Sequence, residues 1–484
     1  MHRFYPLLRV FGALLIGFSL CLLVPMGLSW YVADGAHTAF DTAFLATLLS
    51  GSILFLGLYR EAREMKVRDG FLLVVLVWTV LPLFACLPFI IQLGISPTDA
   101  YFEAMSGLTA TGATVLSGLD QMPLSINFWR TFMHWIGGMG VVVLAVAILP
   151  LLGIGGRQMF KAEVPGPMKE ASLTPRIAET AKGLWRVYLL LTIACGLTLW
   201  QLGMEPWDAL MHAFSVLGLG GFSSKDASLG HFNSLEIELA VMFFALLSGI
   251  NYATHFMALH GRSLNPYRKD AEAPYFLGVL AASILALSIY LWSLDVFSSF
   301  GETLRYVAFH TISLATSLGL ATADYGQWPF FAQIWMLFLG SFIACSGSTG
   351  GGIKMIRAMI LYKQVYRELI CAMHPSALWP VRIKRSVVPQ NVLSGVMAFG
   401  FIYMVSIVSL TLLMSFTGLD IVTSFSAVVA CINNTGPGLN LVGPSSNFSV
   451  LTDFQTWVCT FAMLLGRLEI FTLLVVLTPA FWRK

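Results

Sequence analysis

Four short segments rich in glycine, threonine and serine recur along the chain and align by hand. SGLTATGAT (Ser106 to Thr114) lies over SVLGLGGFS (Ser215 to Ser223) and SLATSLGLA (Ser313 to Ala321), and ACINNTGPG (Ala430 to Gly438) fits the same frame. One column holds a glycine each time: Gly112, Gly221, Gly319 and Gly436. Glycine permits backbone angles that aim carbonyl oxygens inward, and a ring of carbonyls can replace the hydration shell of a monovalent cation. The candidate ion ligands are therefore the backbone carbonyls of Thr109, Ala110, Thr111 and Gly112, of Gly218, Leu219, Gly220 and Gly221, of Thr316, Ser317, Leu318 and Gly319, and of Asn433, Asn434, Thr435 and Gly436. One such segment alone reads as a helix break or a packing site. Four in register, each on the same side of a similar unit, argue for a pore.

Such loops need apolar elements around them, because non-helical backbone at membrane depth is tolerated only where it lines water or is buried in protein. Hydrophobic residues make up 57% of the 484, charged residues only 11%, and the mean hydropathy is +0.78, which excludes a soluble protein. The run from Val10 to Val32 is too long for a signal-peptide core and reads as a retained first span. Basic residues cluster in a few loops: Arg60, Arg63, Lys66 and Arg68; Arg157, Lys161, Lys169, Arg176, Lys182 and Arg186; Arg262, Arg268 and Lys269; Lys363, Arg367, Arg382, Lys384 and Arg385; Arg483 and Lys484. Short positive loops stay in the cytoplasm, so these loops and both termini are expected inside. The intervening outer segments carry only Arg130, Lys225 and Arg305 as basic residues.

The expected fold is an all-α integral membrane protein: four tandem helix, pore-loop, helix units around one pore, preceded by a two-helix hairpin, with about ten spans. The expected boundaries are 1–68 for the hairpin, then 69–182, 183–272, 273–386 and 387–484. Asp99 and Asp208 each precede the column glycine by thirteen residues, at the start of a helical stretch, where a carboxylate suits the positive helix end. Glu302 and Asp420 lie slightly earlier in their units.

Two further features interrupt apolar spans. From about Trp328 to Tyr362 the chain is too long for one crossing and contains Ser346-Gly347-Ser348-Thr349-Gly350-Gly351-Gly352. Glycine costs roughly 1 kcal/mol per residue in a helix, so the helix is expected to break there. Arg467 lies about fourteen residues from either end of its span, or roughly 20 Å, too far to snorkel to an interface. It must be paired or face water. Glu469 is its nearest carboxylate, but two positions away on a helix it points elsewhere. Arg467 is therefore expected to hydrogen-bond the Gly347, Ser348, Thr349, Gly350 and Gly351 loop and to close the pore with it.

Other patterns carry less. GSTGGGIK lacks the Gly-Lys-Ser/Thr of a phosphate-binding loop, and a span rather than a strand precedes it. His134, His212, His255 and His310 read as packing residues, because none sits at helical spacing from a carboxylate within its own span in a way that suggests a proton relay. The seven cysteines have no metal or disulfide spacing, and no catalytic constellation is visible, so no enzyme is expected. Nothing points to nucleic acid.

The four loop segments, CSGSTGGGIK (Cys345 to Lys354) and GRLEI (Gly466 to Ile470) together resemble the TrkH and KtrB group of potassium transporters, a superfamily that also includes the plant HKT proteins. The likeness covers essentially the whole chain, and the additional N-terminal hairpin favours the TrkH side. It implies potassium as the transported ion and a selectivity filter in which the column glycine goes with potassium. It also implies a homodimer with one pore per chain, a bacterial inner membrane, and a cytoplasmic nucleotide-binding regulatory subunit of the TrkA type. A secondary symporter coupled to protons or sodium is the alternative to a channel-like pore.

Overall fold

The computed structural model describes residues 4–58, 66–147, 173–384 and 386–483. Arg60, Arg63, Arg157, Lys161, Lys169, Arg385 and Lys484 lie outside the described residues. Helices Tyr5–Val32 and His37–Gly57 form a hairpin. After it, one order recurs four times: a long helix, a short helix, and a second long segment. The leading helices are Val67–Ala85 with its continuation Leu87–Leu93, then Leu173–Gln201, Ala273–Ser293 and Gln390–Phe416. The short helices are Pro97–Leu108, Pro206–Gly218, Phe300–Ala315 and Ile421–Ile432. Among the described residues six helices are long and apolar enough to cross a membrane, and two bent pairs raise that number to eight. Their outward faces carry exposed leucine, isoleucine and phenylalanine such as Ile53, Phe243, Leu285 and Phe401, as lipid contact requires.

Local sequence starts each short helix. Ser96 Oγ accepts from Asp99 N, Ser299 Oγ from Glu302 N and Asp420 Oδ2 from Thr423 N, while Pro97 and Pro206 occupy first-turn positions where a missing N–H costs nothing. Every short helix thus has an acid at its N-terminal end: Asp99, Asp208 and Glu302 in the first turn, Asp420 as the cap itself. Glu302 follows its serine cap as Asp99 does and lies earlier only because its helix has 16 residues and not 12, whereas Asp420 lies earlier because it is itself the cap; the electrostatics are alike.

The second long segments depart from the straight spans expected in two units. Leu235–Gly249 and Tyr252–Gly261 meet at 97°, and Asp453–Arg467 and Phe471–Leu477 at 112°. At the first bend the free backbone groups pair with the glycine-rich loop of the next unit, Cys345 N to Gly249 O at 3.1 Å and Tyr252 N to Gly347 O at 3.1 Å. At the second, Glu469 and Ile470 take left-handed angles, with φ of 50° and 56°. Such a conformation costs a β-branched residue on the order of 1–3 kcal/mol, so the surrounding packing must impose it. Arg467 consequently ends a helix and does not lie in the middle of one, which corrects its expected position. The third unit breaks as the glycine run requires, into Phe330–Gly340 and Met355–Met373.

The three outer cations are all paired. Arg130 meets Glu103 at 2.8 Å, Arg305 meets Glu238 at 2.7 Å and Lys225 meets Asp208 at 3.4 Å. The hairpin is tied to the first unit through Asp34, which accepts from Ser29 Oγ and, through Oδ2, from Ser125 N at 2.8 Å at the head of helix Leu124–Ala147. Burial opposes the charge of Asp34, but hydrogen bonds from Ser29, Ser125 and Ala36 outweigh it and hold the carboxyl below its ordinary 3.8. Its contribution is present above that value and is lost as pH falls through the lowered one. Asp34→Ala should cost about 1–3 kcal/mol at neutral pH, read as a lower unfolding temperature in detergent, and the two proteins should converge as the medium is acidified below the carboxylate range.

Candidate functional site

The four short helices run into the aligned segments and end at their third or fourth residue, and the backbone there follows one pattern. Ala110, Leu219, Ser317 and Asn434 have φ of 50°, 51°, 65° and 51°, and two residues later Gly112, Gly221, Gly319 and Gly436 have φ of 84°, 85°, 77° and 93°. Left-handed angles at alternate residues turn the chain out of the helix and reorient its carbonyls; the second such site is held by glycine in every loop. The contacts between loops close a ring. A side chain at Gly112 would strike the carbonyl oxygen of Gly220, one at Gly221 that of Leu318, and one at Gly319 that of Thr435. A side chain at Gly436 would lie 2.8 Å from that of Thr111, which returns to the first loop. All four glycines line one cavity of about 100 Å³, with Arg130, Lys225 and Asp226 on its wall.

Side chains of the loops stitch the ring from behind. Asn434 Nδ2 donates to Thr111 Oγ1 at 2.9 Å and to Met463 O at 3.1 Å, and Thr109 and Thr111 hydroxyls lie 2.7 Å apart. Tyr403 donates to Asn433 Oδ1 at 2.7 Å, whose Nδ2 donates to Ser341 Oγ at 2.9 Å. Thr316 Oγ1 returns to Ile312 O at 2.8 Å. His134 stacks on Phe222 with ring centres 4.1 Å apart, against the second loop.

On the side where the short helices end lies the glycine-rich loop, bonded to the second, third and fourth units and linked to the first through Arg467. Thr349 Oγ1 donates to Leu217 O at 3.0 Å, and Gly351 N donates to Ser317 Oγ at 3.0 Å. Gly351 leaves no room for a side chain against Asn433 O. Arg467, 6% exposed, donates through Nη1 to Thr349 O at 3.1 Å and through Nη2 to Gly137 O at 2.8 Å. Ser348 Oγ turns back to Cys345 O at 2.6 Å, and Lys354 Nζ donates to Gly350 O. Glu469 pairs with Arg357 at 2.6 Å, so Arg467 is not its partner.

Several residues at this site escape a reading of the sequence. Glu272, one residue before helix Ala273–Ser293, accepts through the single atom Oε2 from Ser346 N at 2.9 Å and Ile356 N at 3.0 Å, so one oxygen grips both feet of the loop. Asn251 caps Ala253 N at 2.8 Å and presses on Gly347. His212 and His310 are hydrogen-bonded to the limbs that leave the second and third loops. No periodicity signals these contacts, since the partners lie far apart in the chain.

Apolar spans surrounding short buried helices that stop at a closed ring of backbone define an all-α integral membrane protein of a transport type. A sequence model of the TrkH family, described as a cation transport protein, matches residues 36–484, and the chain belongs to that family. The Trk system potassium uptake protein TrkH of Salmonella typhimurium is 45% identical over 487 residues, covering the whole of both chains. The Trk system potassium uptake protein TrkI of Halomonas elongata is 32% identical over 491 residues, covering all of this chain and 98% of its own. The crystal structure of the potassium transporter TrkH from Vibrio parahaemolyticus matches with a TM-score of 0.91 at 42% identity, over 99% of this chain and 100% of that one. These relatives are transporters and not enzymes.

Burial lifts the Glu272 carboxyl from 4.5 to about 8, with Asp270 adding to the rise and the two N–H groups and Lys354 opposing it. The folded state therefore binds more protons than the unfolded chain between those values, and stability must fall as pH rises from 4.5 through about 8. Unfolding temperature in detergent should decline across that window and level off above it. Glu272→Gln, which keeps an acceptor without the charge, should flatten the decline; an unchanged slope would show that other groups cause it.

Proposed function

We propose that this chain takes up potassium through a single channel-like pore in the bacterial inner membrane, with both termini in the cytoplasm. The observation that carries this reading is the closed ring in which each column glycine abuts the carbonyl of the next loop. Its backbone carbonyls, from Thr109–Gly112, Gly218–Gly221, Thr316–Gly319 and Asn433–Gly436, form the selectivity filter. The outer cavity bounded by the four glycines is the vestibule. The C-terminal ends of the short helices at Leu108, Gly218, Ala315 and Ile432 bring their negative dipole ends to the inner side of the ring, where a cation would wait.

The Gly347 to Gly351 loop and Arg467 act as the gate. The loop's bonds to three units, and the reach of Arg467 from it to the Gly137 carbonyl of the first, support this, and so does the charge. A cation about 10 Å from Arg467 is repelled by roughly 1.7 kcal/mol at an effective dielectric of 20. Opening would exchange the Arg467 to Thr349 bond for water. The "Trk system" in the relatives' names supports a regulatory partner, which we assign as a cytoplasmic nucleotide-binding subunit of the TrkA type acting on a homodimer.

Two measurements test these assignments. In proteoliposomes, Gly112→Ser should lower the potassium-to-sodium permeability ratio by about tenfold, because a side chain there displaces the Gly220 carbonyl. An unchanged ratio would remove the first loop from the filter. Separately, Arg467→Gln should raise resting rubidium flux without the partner by roughly ten- to twentyfold, the scale of the lost repulsion, and deletion of Gly347 to Gly351 should raise it by removing the obstruction. Equal or lower flux in folded, inserted protein for both variants would refute the gate while sparing the filter.

A further inference from the structure

Nine residues before the column glycines the four short helices carry Glu103, His212, His310 and Ala427. The first three are completely buried, and each reaches past its own loop to the limb that leaves it. Glu103 accepts from Thr114 Oγ1 at 2.9 Å and from Val115 N at 3.2 Å. His212 places Nε2 3.0 Å from Ser223 Oγ, and His310 places Nε2 3.3 Å from both Thr322 N and Ala323 N. In both histidines Nδ1 lies 2.8 Å from a backbone carbonyl one turn earlier, Asp208 O and Tyr306 O. A carbonyl only accepts, so Nδ1 of His212 carries the proton and its Nε2 accepts from the Ser223 hydroxyl. His310 Nε2 lies 3.1 Å from Ala323 O as well as near the Thr322 and Ala323 N–H groups, so this ring is held to its limb through a carbonyl and two N–H groups.

The fourth unit differs. Ala427 has nothing to offer, and the N–H of Leu439 is taken by Ser426 Oγ at 2.9 Å, one residue earlier on the helix. The limbs are also tied to one another. Arg130 donates to Glu103, to Thr114 Oγ1 at 3.2 Å and to Ser223 O at 3.2 Å; Gly230 N reaches Ala321 O at 3.2 Å; Phe448 N reaches Thr114 O at 2.8 Å. Each loop is thus held at one end by its helix and at the other by a clamped limb.

We propose that Glu103, His212 and His310 are positioning residues for ion selectivity: they clamp the outgoing limbs so that the ring of carbonyls keeps its radius. This rests on the reading of the loops as a filter. With few carbonyl layers, displacement of one loop removes a large share of the coordination, so a lost clamp appears as lost discrimination before it appears as lost flux.

The experiment compares His212→Ala, His310→Ala, His212→Gln, His310→Gln and Gly221→Ser in proteoliposomes, reading the potassium-to-sodium permeability ratio beside total potassium flux and the elution profile of the purified protein. Each alanine variant should lower the ratio by about threefold or more with flux largely kept, and glutamine, which restores an acceptor near the Nε2 position, should recover it. If alanine at either site prevents folding, asparagine, too short to reach the limb, replaces it. An altered ratio in Gly221→Ser with none in the histidine variants overturns the clamp and leaves the filter standing. Equal losses with alanine and glutamine also overturn it, since packing and not the hydrogen bond would then be the cause. No change in Gly221→Ser removes the filter reading itself, and the clamp with it.

Discussion

Backbone that leaves a helix inside a bilayer must find its hydrogen bonds within the protein, because hydrocarbon supplies none. This chain leaves the helix repeatedly: at four loops after the short helices, at a glycine-rich break, and at two sharp bends. The solution is mutual. The bend at Gly249 and Tyr252 pairs with Cys345 and Gly347, the break pairs with Leu217 and Ser317, and the four loops lean on one another in a closed circuit. No one of these irregular segments is tolerable without the others. This interdependence makes the centre of the molecule a single cooperative object.

Buried charge follows the same rule. Removing one partner of a buried ion pair costs about 3–5 kcal/mol because the other is left uncompensated. Arg130 is matched by Glu103, and Arg467 by two carbonyls, Thr349 O and Gly137 O. The second arrangement differs in kind, since carbonyls do not cancel the charge. A buried positive charge held by carbonyls alone is a poor choice for stability. The left-handed Glu469 and Ile470 beside it store strain at the same place.

Glu272 and the braces at Glu103, His212 and His310 hold different parts of the centre. Glu272 fastens the feet of the glycine-rich loop and leaves its middle to Arg467. The clamps fasten the outer limbs of three loops to their own short helices, leaving the fourth with the shorter reach of Ser426. That the fourth unit uses a different residue for this bond is a consequence of fusing four units in one chain, where each unit can diverge.

Composition and order along the chain were enough to determine the membrane class, the four recurring glycines and the break at Ser346 to Gly352. Each depends on a local property: apolarity over a span, the conformational freedom of glycine, or the poor helix propensity of a glycine run. The TrkH resemblance was legible for the same reason, since its motifs are contiguous. Tertiary structure alone decided the bends after Gly249 and Arg467, where no glycine or proline marks the turn at Glu469 and Ile470 and packing imposes the angles. It alone paired Glu272 with partners 74 and 84 residues away, gave Glu469 to Arg357 and turned two apparent packing histidines into braces. Hydrogen bonds between segments far apart in the chain leave no period in the sequence, because their geometry exists only once the four units have closed around a common axis.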